Sequence, residues 1–301
     1  MKKLFDLAHD KFGLKTIFHV IMGVVILIAG AMPTLLIDWL FGANAPILNT
    51  VICSILNIAV IFLLIRFYIV KGFKMSLVDF RICKSKNIVI WISIALLLPF
   101  TVSCFFIFLT PGTFASSGLD KVDLIKTLTE AFFTFCLIAG ITEELIFRGL
   151  IMRLLEMRWN RFISIIVPSI LFGVLHIFNM ERFNITDVLL LVIAGTTVGI
   201  MFSMIAYQSG SIWTSALVHG IWNLFIIGGI LDIGISVNPT VSIFTYTLES
   251  STTLLTGGVF GIESSLPAVI GYIVVIFVAL SLQRQTRNKN QPTYNNEKAD
   301  V

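Results

Sequence analysis

Charged residues are scarce in this chain, and their scarcity excludes several classes of protein. Only 13% of the 301 residues are Asp, Glu, Lys or Arg, whereas 57% are hydrophobic. A soluble domain has about 25% charged and about 45–50% apolar residues, and the mean hydropathy here is +0.96. Water cannot solvate such a surface, so a soluble domain, a disordered chain and a coiled coil are excluded. The net charge of +4 is too small to indicate a nucleic acid partner.

Cysteine is also rare. The chain has four cysteines, and no two of them form a C-x-x-C pair. Neither a disulfide framework nor a zinc cluster is therefore predicted. The four residues are interpreted as packing residues: Cys53, Cys83, Cys104 and Cys136.

Long apolar runs, by contrast, are abundant. A run of about 20 apolar residues is long enough to cross a hydrocarbon core of about 30 Å. The runs predicted to span a bilayer lie near residues 16–37, 46–69, 88–109, 128–148, 162–180, 187–207, 211–232 and 265–283. The predicted fold class is therefore all-α, a polytopic helical membrane protein with about eight transmembrane helices.

Basic residues collect on one side of these spans. Eighteen of the 21 Lys and Arg residues, Arg148 among them, fall on the side that carries both termini. The other side has only Lys121, Lys126 and Arg182, and the loop 233–264 has no basic residue. Because cytoplasmic loops carry an excess of Lys and Arg, both termini are predicted to be cytoplasmic and the loop 233–264 to be exported.

Spans four, five and seven carry polar groups that the membrane disfavours. Each ionisable group costs about 2.5–3.5 kcal/mol on insertion, so a cluster of them predicts a functional site. Helical spacing places Glu144 and Arg148 on one stripe as an ion pair, and it directs Glu143 about 100° away. The candidate site residues are Glu143, Glu144, Arg148, His176, His219 and Asn223.

These residues are predicted to meet at one depth. Glu143 and His176 are equally far along the chain from the turn near residue 160. Regular helices would place both roughly 20 Å from that turn at 1.5 Å per residue. His219 and Asn223 follow the next turn on the same side and reach roughly 15–21 Å by the same rise. Because water must reach such groups, a polar cavity among spans four, five and seven is predicted.

Three short motifs carry the site, in the order EExxxR, FxxxH and HxxxN. They read Glu143-Glu144-x-x-x-Arg148, Phe172-x-x-x-His176 and His219-x-x-x-Asn223. In this order, on three apolar spans, they resemble the CPBP family of intramembrane endopeptidases, which includes CAAX proteases and bacteriocin-processing (Abi) proteins. The resemblance covers roughly residues 125–230, and no motif extends it to the first three spans or to the last one.

The resemblance implies a glutamate-dependent peptidase that needs no metal and no other cofactor. By position, Glu143 with His176 would activate a water molecule, and His219 with Asn223 would hold the oxyanion. The predicted ion pair would support them. Two hydrogen-bond donors on one helix stripe suit this task, and the loss of one such donor typically lowers the rate about 10²–10³-fold.

Other functions use the same kinds of residue. Two histidines and a carboxylate can hold a catalytic zinc, so Glu143, His176 and His219 are alternatively the ligands of a zinc protease, although no H-E-x-x-H pair occurs. A transporter would use the set as a proton relay, although no inverted repeat is visible. The third alternative is a non-catalytic scaffold, in which replacement of Glu143 would leave the phenotype intact.

The expected organisation follows from these assignments. Partners are a peptide or membrane-protein substrate and the lipid bilayer, and the oligomeric state is not predicted. The short loops favour a bacterial plasma membrane, where a bacteriocin-like peptide is a more plausible substrate than a prenylated protein. The predicted divisions are spans one to three at 1–124, a CPBP-like catalytic core on spans four to seven at 125–232, an exported loop with the last span at 233–283, and a polar cytoplasmic tail at 284–301.

Overall fold

The computed structural model of this protein describes residues 13–42, 44–180, 182–250 and 252–289, the side chains of 287–289 excepted. Four of the basic residues that the charge asymmetry counts lie outside the described residues: Lys2, Lys3, Lys11 and Lys298. Residues 290–301 of the predicted tail also lie outside them.

Three long apolar helices begin the fold. α1 covers Leu14–Phe41, α2 covers Pro46–Phe67 with a wider helical continuation at Tyr68–Phe73, and α3 covers Ile88–Leu109. Proline suits the first position of α2, because the N–H group that it lacks would have no partner inside the helix. Many large apolar side chains on these helices are exposed, as a surface in contact with lipid requires.

α4, Lys121–Arg158, carries the first motif. The Asp120 side chain caps it by accepting hydrogen bonds from two backbone N–H groups of its first turn. Most of the helix has wider, π-type turns, over Glu130–Glu143 and Leu145–Ile151. Such turns are rare and often occur at functional sites. The regular rise of 1.5 Å per residue that the depth prediction assumes therefore does not hold for α4.

The remaining helices complete the bundle. They are α5 at Arg161–Leu175 with a tight turn at His176–Asn179, α6 at Ile185–Ser209, α7 at Ile212–Ile226 and α8 at Leu266–Lys289. Within the described ranges, seven helices are long and apolar enough to cross a membrane, and α7 is a shorter apolar one. The predicted fold class, a polytopic helical membrane protein, is confirmed.

Two predicted boundaries need correction. The seventh span, predicted at 211–232, is the 15-residue helix α7, about 22 Å long at 1.5 Å per residue. The helix ends at Ile226, Gly229 then adopts a φ of 74°, and a strand follows at Leu231. α8 extends to Lys289, beyond the predicted end at 283, so the first residues of the predicted polar tail are helical.

A small sheet, absent from the prediction, joins three segments between helices. Its strands are β1 at Gly112–Ser116, β2 at Leu231–Gly234 and β3 at Phe244–Leu248. β3 is central, antiparallel to β1 and parallel to β2. The sheet therefore connects the ends of α3 and α7 to the loop that precedes α8, which is called the α7–α8 loop below.

Glycines bring α5 and α6 together at Gly195 and Gly199. A Cβ atom on Gly195 would lie 2.7 Å from the Cα atom of Gly173, and one on Gly199 would lie 2.8 Å from the Cα atom of Ser169. Both distances are shorter than any real contact of this kind, so the helices can approach this closely only at glycine. This approach fixes α5 and α6, which contribute two walls of the cavity described next.

Candidate active site

A cavity of about 320 Å³ lies between α4, α5, α6 and α7. Four of the six predicted site residues line it: Glu143, His176, His219 and Asn223. The predicted cavity among α4, α5 and α7 is thus present, and α6 and the α7–α8 loop add to its wall. The other two residues, Glu144 and Arg148, are fully buried.

Glu144 and Arg148 form the predicted ion pair. Arg148 Nη1 lies 2.7 Å from Glu144 Oε1, and both side chains are 0% exposed. Arg148 Nη2 also donates a hydrogen bond of 3.1 Å to the carbonyl of Gly199. Its guanidinium carbon lies 4.8 Å and 5.2 Å from the ring centres of Phe172 and Phe202, within the range of cation–π attraction. Arg148, counted above with the cytoplasmic bases, is therefore part of the interior.

His219 lies between the two glutamates of the first motif. Its Nδ1 atom is 3.1 Å from Glu144 Oε1, and its Nε2 atom is 4.0 Å from Glu143 Oε2. Its ring stacks on Phe202 with centroids 4.5 Å apart. A carboxylate that accepts the Nδ1 proton fixes the orientation of the ring. Glu144 therefore holds His219 with Nε2 towards Glu143.

Glu143 presents an unpaired oxygen. Its Oε2 atom has no hydrogen-bond partner among the described residues, and its side chain is 23% exposed. A buried carboxylate oxygen without a protein partner requires water or a substrate group. Because Glu143 lines the cavity, that partner can enter from the cavity.

His176 is oriented by its own helix. Its Nδ1 atom is 2.8 Å from the carbonyl of Phe172. A carbonyl can only accept, so Nδ1 donates this hydrogen bond, and Nε2 takes no part in it. The Phe172 ring lies between the two histidines, 4.4 Å from the ring of His176 and 5.9 Å from that of His219. His176 is thus held on the cavity wall with Nδ1 towards its own helix.

Asn223 donates one of its two amide hydrogens to the chain. Its Nδ2 atom forms a 3.2 Å hydrogen bond to the carbonyl of Phe135 on α4. A side-chain amide has two N–H donors, so the second one remains for a group in the cavity. The α4–α7 contact that permits this bond depends on Gly220, where a Cβ atom would lie 2.6 Å from the carbonyl of Cys136.

The cavity wall also carries a carboxyl that is not among the predicted site residues. Glu263, on the tight turn Ile262–Ser264 of the α7–α8 loop, lines the cavity together with Glu143. It lies outside the apolar spans and outside the three motifs, so neither membrane depth nor spacing indicates it.

The zinc alternative has a geometric test. Within the described ranges, no group of three or more His, Cys, Asp or Glu side chains is placed to hold a metal ion. Glu143, His176 and His219 share the cavity wall without forming such a group. The arrangement instead resembles a base facing hydrogen-bond donors, which suits hydrolysis by activated water.

The comparisons with known proteins agree with the motifs. Residues 126–225 match the family model described as Type II CAAX prenyl endopeptidase Rce1-like. This match confirms the resemblance to the CPBP family of CAAX proteases over about a third of the chain, and it covers both glutamates, Arg148, both histidines and Asn223. No curated protein and no solved structure matches the chain.

Proposed function

We propose, from the Rce1-like match over residues 126–225, that this protein is an intramembrane endopeptidase that cleaves peptide bonds with a glutamate-activated water. The match supports an intramembrane protease of CAAX type in general. The glutamate mechanism is our inference from the cavity. The observation that carries it is the unpaired Glu143 oxygen beside His219 in one water-accessible cavity.

Glu143 and His176 act on the water. Glu143 takes a proton from the water while the water oxygen attacks the carbonyl carbon, and the Nε2 lone pair of His176 orients the water. The hydrogen bond from His176 Nδ1 to the Phe172 carbonyl supports this role, because it leaves Nε2 available to the water. A positioned base of this kind contributes typically about 10²–10⁴-fold to the rate.

His219 and Asn223 stabilise the negative charge that develops on the carbonyl oxygen. Asn223 offers its second amide hydrogen. His219 offers Nε2–H when both of its nitrogens are protonated, and Glu144, 3.1 Å from Nδ1, stabilises that cation. Arg148 in turn holds the Glu144 carboxylate in place. The ion pair therefore supports catalysis without contact with the substrate.

The proposed substrate is a hydrophobic peptide or a membrane protein in a bacterial plasma membrane, with a role in bacteriocin processing or immunity. The cavity wall supports an apolar substrate, since phenylalanines, leucine and tryptophan lie between its few polar groups. We also propose that both termini are cytoplasmic, on the basis of the asymmetry of basic residues.

The test is proteolysis in liposomes that contain the full-length chain. A mixed library of hydrophobic and prenylated peptides is offered, and products are read by mass spectrometry with and without a chelator. Glu143→Gln removes the base at constant volume. Glu249→Gln is the matched control, because Glu249 is exposed and does not line the cavity.

Cleavage that survives chelation, vanishes in Glu143→Gln and persists in Glu249→Gln supports the proposal. Loss of cleavage on chelation would instead assign Glu143 and the histidines to a zinc site. Cleavage that persists in Glu143→Gln would refute the glutamate mechanism. Cleavage of prenylated peptides alone would overturn the proposed substrate class but not the mechanism.

A further inference from the structure

Glu263 is a second carboxyl on the wall of the catalytic cavity, supplied by the α7–α8 loop rather than by a helix of the motif region. It also lines a neighbouring cavity of about 390 Å³, whose wall includes Glu130 and Asp232. The two cavities share Phe135, Ile227, Phe260 and Glu263. Glu263 therefore lies where the two cavities meet.

The chain fixes the position of Glu263 through its backbone. The hydroxyl of Tyr272, on α8, donates a hydrogen bond of 3.0 Å to the Glu263 carbonyl. The neighbours Ile262 and Ser264 are buried, and Gly261 takes a φ of 88° that a residue with a side chain rarely adopts. These contacts hold the turn that places Glu263 on the cavity wall.

The surroundings of Glu263 keep it neutral. Burial, and then the charge of Glu143, raise the pKa of the Glu263 carboxyl to about 8. His176 and His219 line the same cavity, while Glu130 and Asp232 face it from the neighbouring one. Asp187 on α6 lies against the same loop at Gly258. No ion pair among the described residues involves Glu263, so no basic partner opposes these effects.

We propose that Glu263 is the general acid of the reaction and donates its proton to the leaving amine. This inference rests on the proposed peptidase function. Two carboxyls in one cavity, one ionised and one neutral, can divide the work of base and acid between them. Glu143, beside His219, is the base, and Glu263, without a basic partner among the described residues, is the acid.

The proton and bond changes balance. The water gives its proton to Glu143 as its oxygen forms the new bond to the carbonyl carbon. When the carbon–nitrogen bond breaks, the nitrogen takes the proton of Glu263 and leaves as an amine. Glu143 is then protonated and Glu263 is ionised. Water in the catalytic cavity, which both carboxyls line, carries the proton from Glu143 to Glu263. The sum is one amide and one water converted to one carboxylic acid and one amine.

The experiment compares two leaving groups on one peptide sequence, chosen from the peptides that the wild-type protein cleaves in liposomes. One substrate has the ordinary amide bond at the scissile position, and the other has a 4-nitrophenyl ester there. An amine must be protonated to leave, whereas 4-nitrophenolate leaves without a proton. The proteins are wild type, Glu263→Gln, Glu263→Asp and the control Glu249→Gln, each measured for kcat and KM across pH.

For Glu263→Gln we expect kcat on the amide to fall about 10²-fold or more, with kcat on the ester within about threefold of wild type and KM unchanged. The wild-type amide rate should fall as pH rises through about 8, and Glu263→Gln should lack this fall. Glu263→Asp should recover part of the amide rate. Equal loss on amide and ester would show a structural role and overturn the inference, as would an unchanged amide rate.

An infrared titration gives a second readout that does not need a substrate. The wild-type protein in liposomes should show a protonated-carboxyl band that disappears near pH 8 and is absent in Glu263→Gln. If wild type cleaves no peptide, the proposed function fails, whatever the band shows. If wild type cleaves the amide and the band is absent, only the assignment of Glu263 fails.

Discussion

Replacement of Arg148 by methionine should destabilise the protein strongly, because it leaves the buried Glu144 carboxylate without its guanidinium partner. Both side chains are 0% exposed, and their atoms are 2.7 Å apart. Arg148 also binds the Gly199 carbonyl at 3.1 Å, so the variant loses a contact between α4 and α6 as well.

The magnitude follows from the burial. Removal of one partner of a buried ion pair costs about 3–5 kcal/mol, whereas replacement of both partners by residues of similar volume is often close to neutral. We therefore expect about 3–5 kcal/mol for Arg148→Met and a similar loss for Glu144→Gln. The double variant should lie within about 2 kcal/mol of wild type, which corresponds to strong coupling between the two positions.

The assay is reversible unfolding in mixed detergent micelles, for wild type, both single variants and the double variant. Arg153→Met is the control on the same helix. Arg153 lies 2.8 Å from Glu156, but these side chains are 28% and 21% exposed. A partly exposed pair contributes about 1 kcal/mol or less, so this variant should change stability little. Activity should be lost in the double variant even though it folds, because Glu144 no longer holds His219 as a carboxylate.

Additive losses from the two single variants would refute this reasoning, since the pair would then have no coupling energy. A loss in Arg153→Met as large as that in Arg148→Met would refute it too, because burial would then not be the cause.

Three further predictions come from single sites. Gly195→Ala should destabilise the fold by about 1–3 kcal/mol, because its Cβ atom would lie 2.7 Å from the Cα atom of Gly173. Gly72→Ala is the control and should be neutral in thermal unfolding, because its Cβ atom would lie 3.8 Å from the nearest atom, in the Tyr68 side chain. Asn223→Ala should lower kcat about 10²–10³-fold with little change in KM, measured in liposomes. Thermal stability should fall as pH rises from about 5 to 8. The folded protein keeps Glu263 protonated up to about pH 8, whereas the unfolded chain ionises it above the ordinary pKa of 4.5. The stability is therefore fully present below pH 4.5 and is lost as pH rises through about 8. Glu263→Gln should abolish this fall and gain roughly 3 kcal/mol at pH 7.

Much of the fold and of the site could be predicted from the sequence, because both depend on local patterns. Apolar runs identify helices by length alone, and the four-residue spacing of Glu144 and Arg148 predicts an ion pair that the structure contains. The predicted common depth brings His219 near the two glutamates but does not predict which atoms pair, since α4 is not a regular helix over Glu130–Glu143.

The rest depends on contacts between distant segments. The wide turns of α4 arise where this helix packs on others, and no residue type marks them. The sheet pairs short strands that lie far apart in the chain, and short strands carry little signal. Glu263 enters the cavity because its loop folds inward, so its role depends on the path of that loop and not on its sequence neighbours. Arg148 counts among the bases of one side but is buried in the interior, because a count of charges carries no information on depth.

The sheet also bears on the biogenesis of the protein. β1 follows α3, but its partner β3 follows α7, so this pairing must wait until four further helices have been synthesised and inserted. The loop that carries Glu263 begins beyond β3. A nascent chain can therefore assemble the three motifs while the last wall of the cavity is still missing. The wall of the cavity is complete only after the segment that carries Glu263 has been synthesised, so the proposed activity should begin no earlier than that.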